Sequence, residues 1–85
     1  MKLHLYSRPQ CHLCDRLEEL LQPWLDALAQ RKGMGTVHLI KFNIDDNASW
    51  REQYGTRIPV LTLNEQILLE GRPDPAEIAR IMQTL

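Results

Sequence analysis

Apolar and polar residues alternate at the start of the chain. In Lys2 to Ser7 (KLHLYS), Leu3 and Leu5 alternate with His4 and Tyr6. A period of two predicts a strand. Pro9 biases its neighbour away from helix, so Ser7 to Gln10 reads as a loop. From Cys11 the period lengthens. Leu13, Leu17, Leu20, Leu21, Trp24, Leu25 and Leu28 recur at helical steps and form one apolar face. Asp15, Glu18 and Glu19 lie near the start of this helix and Arg31 and Lys32 near its end, the polarity a helix dipole favours. Gly33 and Gly35 are expected to end it. Pro23 falls inside, removes one backbone donor and predicts a kink.

Thr36 to Ile44 (TVHLIKFNI) is rich in Val, Ile and Phe and predicts a second strand. Its helical crossover from the first strand makes the two parallel neighbours. Asp45, Asp46 and Asn47 supply a cap for a short helix through Trp50 and Tyr54, stopped by Gly55. Ile58 to Leu63 (IPVLTL) is a third strand that opens on Pro59. Asn64-Glu65 is a tight turn, so Gln66 to Glu70 returns as its hairpin partner. Asp74-Pro75-Ala76-Glu77 carries a helix-start signal: Asp74 as N-cap, Pro75 in the first turn and Glu77 closing a capping box. Ile78, Ile81, Met82 and Leu85 give the last helix its buried stripe. Trp24 and Trp50 fall on helical stripes and are expected in the core. The order is strand, helix, strand, helix, strand, strand, helix. It predicts one α/β domain over residues 1–85, with a βαβ unit followed by a ββα unit.

Composition adds limits rather than detail. A chain of 85 residues holds one domain, and such a domain buries only about 60% of its unfolded surface. The formal net charge is −1, which offers no attraction to nucleic acid or to an anionic membrane. No apolar run is long enough to span a bilayer, and Met1 to Pro9 has no signal-segment pattern. The expectation is a cytoplasmic monomer.

The cysteines change the picture most. There are two, arranged Cys11-His12-Leu13-Cys14. A bridge between them closes a tiny loop and constrains the unfolded chain little, so chemistry or metal binding is the better explanation. A zinc site needs four ligands. No second cysteine pair exists, and His4 and His38 sit in predicted strands. No bound metal is therefore expected. The pair stands instead where a strand hands over to a helix. A helix N-terminus presents unpaired N–H groups and about half a positive charge. There, cysteine pKa values drop from about 8.5 to between about 3.5 and 7.5. Cys11, nearest the loop, is expected to be the exposed nucleophile. Cys14, one turn deeper, is expected to resolve the mixed disulfide that Cys11 forms. Arg8 and a charged His12 would favour the thiolate further, and His12 is the candidate for tuning the redox potential.

With LHLYSRPQCHLC, YGTRIPV and EGRPDPAE in view, nearly the whole chain resembles the glutaredoxin branch of the thioredoxin superfamily, and in particular its short bacterial glutaredoxin-like members. The resemblance implies a thioredoxin-like fold, βαβ-α-ββα, with a four-stranded mixed sheet flanked by helices. It implies a dithiol–disulfide oxidoreductase with a cis Ile58–Pro59 bond facing the disulfide, beside which a peptide or glutathione would pair with Ile58 as an added strand. It implies Arg8, Ile58, Gly71 and Asp74 as glutathione contacts, with glutathione as a co-substrate rather than a tightly bound cofactor. Expected partners are disulfide-containing proteins or glutathione mixed disulfides, with a reductase or glutathione as electron donor. Three segments depart from the common pattern. His12 and Leu13 replace Pro-Tyr inside the motif, Arg57-Ile58-Pro59 replaces Thr-Val-Pro, and Gly71-Arg72 replaces Gly-Gly. Leu5 stands where thioredoxins bury an acid, so proton transfer to Cys14 needs water or another group. Two alternatives belong to the same fold: an iron–sulfur cluster carrier that pairs two chains with glutathione and uses Cys11 as ligand, and a binding module without chemistry.

Overall fold

Residues 1–31 and 37–85 are described by the structure, a computed structural model. β1 (Lys2–Ser7) lies inside a four-stranded sheet of order β2-β1-β3-β4. Helix α1 (His12–Ala29) carries the chain from β1 to β2 (His38–Asn43), which pairs parallel to β1. A short 3-10 turn, Ile44–Asp46, leads into α2 (Ala48–Tyr54). β3 (Val60–Leu63) then returns antiparallel to β1, β4 (Gln66–Glu70) antiparallel to β3, and α3 (Pro75–Gln83) closes the chain. This is the expected thioredoxin-like α/β order, with a mixed sheet flanked by helices.

The alternation in β1 sorts its side chains between two faces. Leu3 and Leu5, fully buried, join Leu61 and Leu69 against Leu17, Leu21 and Leu28 of α1 and Ile78 and Met82 of α3. Trp24 packs at the rim of this core. The other face of β1 carries His4 and Tyr6. Phe42 of β2 lies between their rings, at centroid distances of 5.2 Å from His4 and 5.3 Å from Tyr6. Trp50 and Tyr54 of α2 complete the cluster, at 5.6 Å and 4.5 Å from Tyr6. Such ring pairs stabilise beyond the area they bury. Burial, its main cause, and the neighbouring Tyr54 and Glu65 raise the Tyr6 pKa above its ordinary value, so its hydroxyl stays protonated. Trp50 thus packs on the second face and not in the main core.

Several boundaries differ from the sequence pattern, each for a local reason. Asn43 Oδ1 accepts from the Asp45 N–H at 2.9 Å, which turns the chain and moves Ile44 out of the strand. β3 begins at Val60 rather than Ile58. Pro59 has no N–H to offer, and the Ile58 N–H donates to Tyr54 O at 3.0 Å. α1 ends at Ala29, one residue past its last buried anchor, Leu28, so Arg31 lies outside its last turn. Lys32, Gly33, Gly35 and Thr36 lie outside the described residues. α1 runs unbroken through Pro23. Leu13, expected on the buried face, is 37% exposed.

The caps and turns were legible. Asn47 Oδ1 accepts from Ser49 N–H at 2.9 Å at the start of α2, and Asp74 Oδ1 accepts from Ala76 N–H at 3.0 Å at the start of α3. Asn64 and Glu65 both take positive φ, 51° and 69°, as a two-residue hairpin turn with matching twist requires. Leu68 is an extra residue in the ladder, since Thr62 pairs with Ile67 and Leu61 with Leu69. The packing predicts that Leu21→Ala costs about 2–5 kcal/mol in denaturant unfolding, whereas Leu13→Ala stays within about 0.5 kcal/mol. Equal losses for the two would contradict this assignment of the core.

Candidate active site

β1 delivers the chain to the site. Its last residue, Ser7, is buried, and Arg8, Pro9 and Gln10 turn the backbone toward α1. Gln10 adopts φ 61°, a left-handed conformation that non-glycine residues seldom take. No glycine marked this turn, so the sequence did not signal it. Cys11 follows as the N-cap of α1, in extended conformation. Its sulfur does what a Ser or Asp oxygen does at other helix starts: it accepts the Cys14 N–H, at 3.2 Å. The two cysteines form a disulfide with a Cα–Cα distance of 5.2 Å. Cys11 is half-buried and Cys14 is 3% exposed, so an incoming thiol or disulfide meets Cys11 first. His12 and Leu13, between them, are exposed.

The sheet register brings the Pro59 segment to the same end. Val60 pairs with Tyr6, so Ile58 and Pro59 lie where the Arg8–Gln10 loop leaves β1. The Ile58–Pro59 bond is cis, as the resemblance implies, and Pro59 is fully buried.

Each group named as a glutathione contact already has a partner within the chain. The Arg8 guanidinium meets both carboxylate oxygens of Asp45 at 3.1–3.2 Å, so its charge is already matched. The Ile58 N–H is bonded to Tyr54 O. The Gly71 N–H, at φ 76°, is shared between Arg57 O at 3.0 Å and Pro59 O at 2.9 Å. Asp74 caps α3. Arg57, the substitution beside Ile58, is held by Glu70 at 2.6 Å and lies 5.9 Å from the Tyr54 ring centre.

A cleft of about 360 Å³ opens behind Cys14, bounded by Ser7, Arg8, Asp15, Glu18, Lys41 and Asp46 among others. Lys41 Nζ bonds Glu18 Oε1 at 2.8 Å across it. That hydrogen bond and the Glu18 charge raise the Lys41 pKa above its ordinary value. The sequence pattern gave Glu18 only a place near the helix start and gave Lys41 no role. A signal was present: Lys41 alternates with Leu39 on one face of β2 and pairs with the buried Leu5, although its own side chain is exposed at this edge strand.

Strand order, helix placement and the cysteine pair at the mouth of a central strand define a thioredoxin-like protein built for thiol chemistry. The chain belongs to the family described as Glutaredoxin-like domain (DUF836), whose model matches residues 2–83. It is similar to a structural-genomics target protein, XcR50, from X. campestris, at 31% identity and a TM-score of 0.68, covering 98% of this chain and 97% of that one. It is also similar to a protein described as "Probable Thioredoxin" from Archaeoglobus fulgidus, 25% identical over 98% of this chain and 87% of the relative. The oxidised thioredoxin from Plasmodium falciparum shares the fold, with a TM-score of 0.61 at 11% identity, covering 98% of this chain and 78% of that one.

The capping geometry predicts an order of reactivity. In the reduced protein, an alkylating agent should modify Cys11 well before Cys14 at neutral pH. Mass spectrometry of the partly modified protein checks this. Modification of Cys14 first, or of both at one rate, would contradict it.

Proposed function

We propose that the chain is a dithiol–disulfide oxidoreductase in which Cys11 is the nucleophile and Cys14 the resolving thiol. The observation that carries this reading is the Cys14 N–H directed at the Cys11 sulfur. A neutral disulfide sulfur is a weak acceptor there. A thiolate at the same place carries a full charge, so the amide and the helix terminus favour the thiolate over the disulfide. In the reducing direction, the Cys11 thiolate attacks a substrate disulfide and expels one substrate thiolate. The Cys14 thiolate then attacks the Cys11 sulfur, expels the second substrate thiolate and leaves the Cys11–Cys14 disulfide. Two electrons pass from the pair to the substrate, and the two substrate thiolates take up the protons that the cysteines release.

The substrate class we favour is protein disulfides. The internal partners of Arg8, Ile58, Gly71 and Asp74 leave the expected glutathione cradle engaged with the chain itself, and Arg72 adds bulk and charge beside Gly71. A peptide strand would call on Ile58 alone of those groups, and the exposed His12 and Leu13 flank the disulfide with open surface for it. Glutathione then acts, if at all, as one electron donor alongside a reductase. We further propose a monomer at work in the reducing cytoplasm. Among the described residues, no helix is long and apolar enough to cross a membrane.

Reduction of a protein disulfide should disappear in Cys11→Ser. Cys14→Ser should instead accumulate a mixed disulfide with substrate, visible as a mass adduct on Cys11. Full activity in Cys11→Ser would overturn the assignment. For the substrate class, a glutathione mixed disulfide should be reduced more slowly than a protein disulfide, and the reverse order would overturn that preference.

A further inference from the structure

The second step of this reaction demands something that the helix start does not supply. Cys14 is 3% exposed, and its thiol must lose a proton before it can attack. The cleft behind it, which it lines, gives that proton a way to solvent. At about 360 Å³, that cleft holds several waters, each occupying about 30 Å³ in the liquid.

The charged groups around the cleft come from four segments. The loop contributes Arg8, paired with Asp45. The 3-10 turn contributes the exposed Asp46, α1 contributes Asp15 and Glu18, and β2 contributes Lys41. Asp15 also lines the cleft and acts on Lys41, but its side chain is exposed to solvent. Glu18 is one turn on from Cys14, so the two share a face. Its Oε1 is buried and stands in an ion pair with Lys41 Nζ at 2.8 Å. Glu18 and Lys41 also border a second cleft of about 430 Å³ toward Ala29. Glu18 thus borders the same cleft as Cys14.

Resting on the dithiol reading above, we propose that Glu18 accepts the proton of Cys14 through the cleft, with Lys41 as the positioning cation. Before the step the cleft holds a thiol, a carboxylate and an ammonium. After it the cleft holds a thiolate, a carboxylic acid and the same ammonium. The net charge does not change, and the Lys41 ammonium stays beside the Glu18 carboxyl. The thiolate attacks Cys11 Sγ. The Cys11–Cys14 bond forms, the Cys11–substrate bond breaks, and its electron pair leaves on the substrate thiolate. Glu18 returns the proton to that leaving group through the cleft water and is ready for another cycle. The helix start activates Cys11, and the Glu18–Lys41 pair serves Cys14.

The two steps separate in one experiment. The reduced protein is mixed with one equivalent of a symmetric aromatic disulfide whose thiolate is coloured. The first burst of colour reports attack by Cys11, and the second reports resolution by Cys14. Glu18→Gln should leave the first phase unchanged and slow the second by about tenfold to a hundredfold at neutral pH. The slowed phase should then climb by about tenfold per pH unit toward the ionisation of an unassisted thiol near about pH 8.5, a steeper rise than in the unmodified protein. Lys41→Met should also slow the second phase alone, and Asp15→Asn should alter neither. A second phase in Glu18→Gln that matches the unmodified protein at every pH would overturn the proposal. So would a loss that follows Asp15→Asn instead. Equal slowing of both phases would assign the pair a merely structural role and overturn it too. If the unmodified protein gives no first phase at all, the dithiol reading itself fails, and this result is distinct from every other.

Discussion

The contact between the Cys14 N–H and the Cys11 sulfur joins the fold of this protein to its chemistry. It is a helix cap in which sulfur stands where oxygen usually does. Because the acceptor is redox-active, the cap changes strength with oxidation state. The disulfide is a weak partner for the amide, and a thiolate is a strong one. The helix terminus therefore pulls the pair toward its reduced form, and that reduced form is poised to attack.

This contact depends on α1 being held still at its first turn. Leu17 and Leu21 fix that end of the helix against Leu3 and Leu5 of β1, and the same strand hands the chain to the loop that carries Cys11. The aromatic cluster of Tyr6, Phe42, Trp50 and Tyr54 packs the other face of β1 near the same end. β1 is thus covered on both sides just where its direction sets the cysteine geometry. The antiparallel pairing of Tyr6 with Val60 delivers Pro59 to that place from elsewhere in the chain. Three segments distant in sequence meet at one sheet end, and the rest of the domain keeps them there.

Much of this was legible in the sequence because its signals are local. Alternating Leu3 and Leu5 marked a strand, and the spacing of Leu17, Leu21 and Leu28 marked a helix face. Asn47 and Asp74 announced helix starts, and Asn64-Glu65 a hairpin turn. The cysteine pair declared itself by spacing and by position. What stayed hidden depends on contacts between distant segments. Nothing near Arg8 in sequence reveals that Asp45 occupies its guanidinium. Nothing near Ile58 or Gly71 shows that their N–H groups bond to Tyr54, Arg57 and Pro59. The expected glutathione contacts came from resemblance by position, which carries residue types but not their partners. Glu18 was read as a charge near a helix start, and only the approach of β2 turns it into half of an ion pair with Lys41.

The central claim is that the Cys11–Cys14 bond is a working redox couple and not a staple. Its reduction potential tests this most directly. The protein is equilibrated in thiol–disulfide buffers of graded potential, quenched by alkylation, and the fraction reduced is counted by mass. A cap that favours the thiolate predicts a midpoint among the catalytic dithiols, between about −120 and −270 mV. A midpoint below about −300 mV, where structural disulfides lie, would contradict the account.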